Sequence, residues 1–170
     1  MKIALGLITP DHLKADELFL IDIKYDMFPD DKVKLFKKGQ YLALWESSYS
    51  PIHKKYTSAQ KEYPLAALPW FIDTIENEFW NHKPDPDALP GKTNEVTVIK
   101  GEKLGINPMR NCCAEDLFGY SFWNASRKSY ISRRARHDWY IPQYMLEQGL
   151  MDDLKRISTE LGLKSYEPFK

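Results

Sequence analysis

One order of landmarks occurs twice along this chain, and it decides the architecture before any single segment is assigned. Tyr41 opens a short alternating run that ends on Trp45, a serine-rich loop (Ser47-Ser48-Tyr49-Ser50) leads to the dibasic Lys54-Lys55, and Tyr63-Pro64 then opens a helical pattern. Tyr120 opens a second run holding Trp123, the stretch from Ser126 to Tyr130 leads to Arg133-Arg134, and Tyr140-Ile141-Pro142 opens a second helical pattern. Tyr41 to Pro64 is a step of 23 residues and Tyr120 to Pro142 one of 22. Landmarks in the same order at nearly equal spacing read as two copies of one unit. The expected fold class is α+β, with two repeats of an antiparallel sheet followed by a proline-started amphipathic helix.

The segments between the landmarks fit that reading. Phe19, Ile21, Ile23 and Tyr25 alternate with other positions, so 18–25 is expected as a strand, as are 32–36, 41–45 and a run ending at Tyr63. Leu68, Phe71, Ile72, Ile75 and Phe79 recur at helical spacing over about 66–81, and proline is tolerated in the first turn, where its missing N–H would be unpaired anyway. Three prolines and a glycine mark 83–94 as a linker, which divides the chain into a first unit, 1–82, and a second, 95–170, packed together. In the second unit 95–100, 118–123 and 137–141 read as strands, and Leu146, Leu150, Leu154, Ile157 and Leu161 stripe a helix that Gly162 stops. Gly105 and Pro108 interrupt 101–116, which is left without an assignment. The opening run, Met1 to Ile8, is apolar and ends at Thr9-Pro10-Asp11 with no cleavage site, so it is expected as a strand.

Charge and cysteine usage narrow the function classes. Lys+Arg and Asp+Glu both number 24, so net charge is zero, which argues against a binder relying on phosphate attraction alone but leaves room for a local basic face. The two cysteines, Cys112 and Cys113, are adjacent, a spacing that suits neither an ordinary disulfide nor a zinc half-site; they read as one buried and one incidental thiol. Unpaired thiols and no export signal place the chain in a reducing cytoplasm, and no apolar run is long enough to span a membrane. His12, His53, His82 and His137 show no metal-ligand spacing, and no phosphate-cradling glycine motif is present. No cofactor, metal or catalytic residue is expected. His137-Asp138 would be the acid–base pair of a nuclease or phosphotransfer enzyme, but neighbours in a strand point to opposite faces.

Tyr41 to Trp45 with Tyr63-Pro64, and Phe118 to Trp123 with Trp139 to Pro142, carry a resemblance. Several antiparallel strands, a proline-started helix, then the same again, is similar to the PUR-repeat and Whirly-type single-stranded nucleic acid binders. The resemblance implies binding on the sheet faces turned away from the helices. There, flat aromatic side chains stack on unpaired bases and cations track the backbone. The residue types suited to this are Arg127, Lys128, Arg133, Arg134 and Arg136 with Trp123, Tyr130 and Trp139 in the second unit. Their counterparts in the first are Lys54 and Lys55 with Trp45, Tyr49 and Tyr56. The expected function is a non-enzymatic binder of single-stranded DNA or RNA. The alternative is a protein–protein assembly module, in which aromatics such as Trp70, Trp80 and Trp139 form the contact surface. A homodimer fits both, because open sheets leave edges to cover.

Overall fold

The computed structural model describes residues 2, 4–81, 94–128 and 136–167. Four strands, β1 (Glu17–Ile23), β2 (Lys32–Lys38), β3 (Tyr41–Ser50) and β4 (Lys55–Pro64), form an antiparallel meander in the order β1-β2-β3-β4. Helix α1 (67–80) follows, α-helical over Ala67–Asp73 and more widely wound over Thr74–Trp80, where the Asn81 N–H reaches back to the Glu76 carbonyl. A second meander, β5 (Glu95–Ile99), β6 (Glu102–Met109), β7 (Gly119–Asn124) and β8 (His137–Pro142), repeats the order, and helix α2 (143–160) closes it with a bend at Gly149. Two four-stranded antiparallel sheets, each followed by a helix, make an α+β protein with a repeated sheet-plus-helix arrangement. Among the described residues no helix is long and apolar enough to cross a membrane. The linker expected over 83–94 lies, apart from Asn94, outside the described residues.

The strand register sharpens the repeat. Tyr41 pairs with Pro64 and Gly119 pairs with Pro142, so the equivalent of Tyr41 is Gly119 rather than Tyr120. On that register Trp45 and Trp123 coincide, four residues on in each unit. So do two backbone hydrogen bonds, Leu65 N–H to the Gln40 carbonyl at 2.9 Å and Gln143 N–H to the Phe118 carbonyl at 3.0 Å. Each fixes the step from last strand to helix.

The unassigned stretch 101–116 supplies the missing strand. Lys100 and Gly101 both take positive φ, 52° and 73°, the backbone of a two-residue hairpin turn that matches strand twist, and Ile99 pairs with Glu102 across it. Pro108 lies past the last β5 partner, Ile106, where only β7 flanks β6. The opening segment corrects the reading in the other direction. Residues 4–9 form no strand: the Leu5 and Ile8 N–H groups and the Gly6 carbonyl are met by side chains rather than by a neighbouring strand.

The helices bind the units to each other. Rings of α1 lie on the second sheet: Phe71 sits 5.0 Å from Phe122 and 6.2 Å from Trp139, and Phe79 sits 5.5 Å from Tyr120. Tyr63 of β4 stacks on Phe122 at 4.2 Å and donates its hydroxyl to the Phe122 carbonyl at 2.9 Å. Lys155 of α2 pairs with Glu76 of α1. One continuous core results, with Leu35, Leu44, Ile75, Ile106, Ile141, Leu154 and Ile157 among its fully buried members.

Candidate nucleic-acid interface

Alternation assigns the faces of the first sheet. Leu42 and Leu44 point into the core, so Tyr41, Ala43, Trp45, Ser47 and Tyr49 of β3 share the opposite, outer face with Glu62, Gln60, Ser58 and Tyr56 of β4. The lower half of that face is covered. Ile8 packs on Phe36, Ala43 and Trp45, and the chain from 4 to 9 lies across them as a strap. Leu5 N–H donates to both Glu62 carboxylate oxygens at 2.9 and 3.0 Å, and Ile8 N–H donates to Gln60 Oε1 at 2.8 Å. The Gly6 carbonyl accepts from Lys38 Nζ at 2.6 Å. Trp45, expected as a stacking residue, is therefore buried beneath the strap.

A buried ion cluster joins the sheets where β4 and β8 meet. Arg127 Nε and Nη2 donate to the two Glu102 oxygens, both at 2.8 Å, and Nη1 donates to Glu62 at 2.8 Å. The guanidinium carbon sits 4.2 Å from the Tyr41 ring centroid. Asn124 Nδ2 donates to Glu102 at 2.8 Å and to the Glu62 carbonyl at 2.9 Å, and His137 Nδ1 accepts the Glu62 N–H at 2.8 Å. Side chains of the second unit thus satisfy both backbone groups of Glu62 on the edge of β4. Burial alone would raise the Glu102 carboxyl, but hydrogen bonds from Arg127 and Asn124 outweigh it and hold the group down at about 2. Burial pushes His137 below its ordinary value; with Nδ1 accepting, Nε2 donates to the Lys128 carbonyl at 2.6 Å, which assigns the neutral tautomer.

This cluster corrects the expected basic patch. Arg127 is 3% exposed and fully engaged with two carboxylates, so it offers nothing to a phosphate. Trp139, 1% exposed, lies in the core and donates to the Tyr25 hydroxyl at 3.0 Å, leaving no face for a base. Trp70 is likewise core, so an assembly surface built on Trp70 and Trp139 is not there. His137 and Asp138 do point to opposite sides of β8: His137 turns into the ion cluster and Asp138 accepts from Ser121 Oγ at 2.7 Å and from Arg136 Nε at 3.0 Å.

Trp123 lies on the outer face of the second sheet, flat over Gly105 and only 5% exposed, so it offers no face to a base, contrary to expectation. A Cβ built on Gly105 would come within 2.0 Å of the indole Cζ2, so only glycine leaves room for the ring. The indole N–H donates to Asn107 Oδ1 at 2.9 Å, and the Arg136 guanidinium covers the ring at 4.6 Å. Gly105→Ala is expected to cost about 2 kcal/mol by overpacking. Urea titration would read it, and Trp123→Leu in the same background should remove most of the penalty. Equal penalties in both backgrounds would show that the ring is not what the methyl meets.

The remaining candidates come together on one feature. Beyond Ser47 and Ser58 the β3–β4 hairpin projects as an arm, with Tyr49 and Tyr56 as a cross-strand pair, 49% and 58% exposed. Their rings meet edge-to-face at 5.5 Å. Lys54 and Lys55, both exposed, sit at the arm's end beside them, and from Ser47 to Lys61 there is no acidic residue. Lys128 is exposed on the connection that leaves β7. Tyr130, Arg133 and Arg134 lie outside the described residues. The carboxylates of the cluster were not legible as a site, since Arg127 stands 65 residues from Glu62 and 25 from Glu102. No family model, curated protein or solved structure matches the chain.

Proposed function

We propose that this chain is a non-enzymatic nucleic-acid-binding protein with a preference for single strands, and that the β3–β4 arm is its principal grip. The observation that carries the reading is the exposed Tyr49–Tyr56 pair on the outer sheet face, flanked by Lys54 and Lys55 within an acid-free run. A phenol ring held by a cross-strand partner offers an unpaired base a flat surface without ordering a long side chain first. The lysines add phosphate contacts whose attraction falls with salt. Zero net charge is no obstacle, because Lys54 and Lys55 lie in a run from Ser47 to Lys61 that holds no acidic residue. On the second unit, the exposed Arg136 and Lys128 provide a smaller, purely cationic accessory surface. Two cysteines kept as thiols fit a cytoplasmic setting.

Anisotropy of a labelled oligothymidylate tests this directly. Tyr56→Ala should weaken binding about tenfold, one stacked base's worth, without changing thermal stability. Lys54→Ala with Lys55→Ala should make the salt dependence shallower by about 0.7 for each phosphate that is no longer neutralised. Absence of binding by the unmodified chain at low salt, or unchanged affinity in Tyr56→Ala, would sink the reading. The assembly alternative rests on the edges of the sheets, where Leu18 and Phe19 on β1 and Val96 and Val98 on β5 are exposed. A homodimer built on those edges would appear as a doubled mass in sedimentation equilibrium.

A further inference from the structure

β2 turns lysines to the outer face of the first sheet. Val33 and Leu35 point into the core, so Lys32, Lys34 and Phe36 share the side that carries Trp45 and Tyr49 of β3. The strap closes off Phe36 and Trp45, but the β1 side of the same face stays open. Phe19 of β1 lies opposite Phe36, meets its ring edge-to-face at 5.7 Å and is 41% exposed. Lys34 Nζ sits 5.4 Å from the Phe19 centroid, and Lys32 is exposed on the same strand. Acids are scarce on this face. Glu17 and Glu62 are buried in ion pairs with Lys38 and Arg127, which leaves Asp22, opposite Lys34, as the exposed acid among its strand residues.

The register sets the spacing. Phe36 pairs with Ala43, and Tyr49 lies further along β3, so Phe19 and the Tyr49–Tyr56 pair stand roughly 20 Å apart along the strands at about 3.4 Å per residue. The rows between them hold Lys34 opposite Trp45 and Lys32 opposite Ser47. Two exposed aromatic stations with cations between them match a chain that alternates flat bases with phosphates. We propose that Phe19, Lys34 and Lys32 extend the site of the arm to the β1 edge. One single strand then crosses the outer face with a base on Phe19, a base on the tyrosine pair and phosphates over the two lysines. This path rests on the nucleic-acid reading of the arm and supplies its second end. Lys34 reaches a phosphate by exchanging Asp22, an exposed partner whose ion pair holds little energy in water. An acidic peptide would satisfy the lysines and leave both aromatic stations unused.

Anisotropy of a labelled oligothymidylate of about twelve nucleotides, long enough to reach both stations, tests the path in the full chain. Phe19→Leu keeps an apolar contact on Phe36 and removes the flat ring. It should weaken binding at least about fivefold with an unchanged melting temperature, whereas Phe19→Tyr should retain affinity. Lys32→Ala with Lys34→Ala should make the salt dependence shallower by about 0.7 for each phosphate no longer neutralised. Unlabelled polyglutamate of equal charge should not displace the oligonucleotide. Binding that Tyr56→Ala weakens but Phe19→Leu and the lysine pair leave unchanged would overturn the path and keep the arm. No binding by the unmodified chain would overturn both. Displacement by polyglutamate at equal charge would mark a surface for acidic protein instead, and the path would fall.

Discussion

Replacing Arg127 with methionine is expected to destabilise the fold by about 3–5 kcal/mol, because it leaves the carboxylates of Glu62 and Glu102 buried without their counter-charge. Both acids are fully buried, so water does not substitute for the guanidinium. Urea titration of Arg127→Met measures the loss. Adding Glu62→Gln and Glu102→Gln should recover much of it, since the amides still accept the Leu5 N–H and the Asn124 amide without carrying charge. A loss of about 1 kcal/mol or less, as for an exposed pair, would mean that solvent reaches the cluster.

Acid should unfold the protein in two stages. Burial depresses His137, whose folded ring stays neutral, so its contribution is complete above its ordinary value of 6.5 and declines as pH falls below it. Glu102 is held at about 2 against an ordinary 4.5, so its contribution is complete above 4.5 and is lost as pH falls toward 2. That second stage amounts to roughly 3 kcal/mol. Stability measured by urea at successive pH values should be level above neutrality and fall in these two windows. His137→Asn should flatten the first and Glu102→Gln the second. A stability curve level from neutrality to acid would contradict both assignments.

The sheets and helices were legible because one face of each is buried, which imposes period-two alternation on strands such as Val33–Leu35 and a 3.6-residue stripe on α1. Where alternation misled, the cause is local. Gly105 reads as a break, yet its bare backbone is what Trp123 rests on. The opening segment is an apolar run like that of a buried strand, but it crosses the outer face of a sheet, and side chains take its hydrogen bonds. At the candidate interface, Tyr49, Tyr56, Lys54 and Lys55 were readable because a hairpin keeps sequence neighbours together. Arg127 was misread because an arginine within a cationic run looks solvent-facing. Its two acids come from distant strands, and no local pattern announces a pairing of that length.

The strap has a bearing on the order in which the molecule is made. Leu5 and Ile8 depend on Glu62 and Gln60, but Lys2 is placed by the Ser126 carbonyl and by Glu102. During translation Leu5 and Ile8 thus dock once β4 has emerged, whereas Lys2 waits on the order of ten seconds longer while the chain up to Ser126 is polymerised. Phe36 and Trp45 are then covered from within the first unit, before the second exists. A nascent first unit therefore closes this apolar patch by itself, and of the opening segment's contacts only those of Lys2 are left for the second unit to complete.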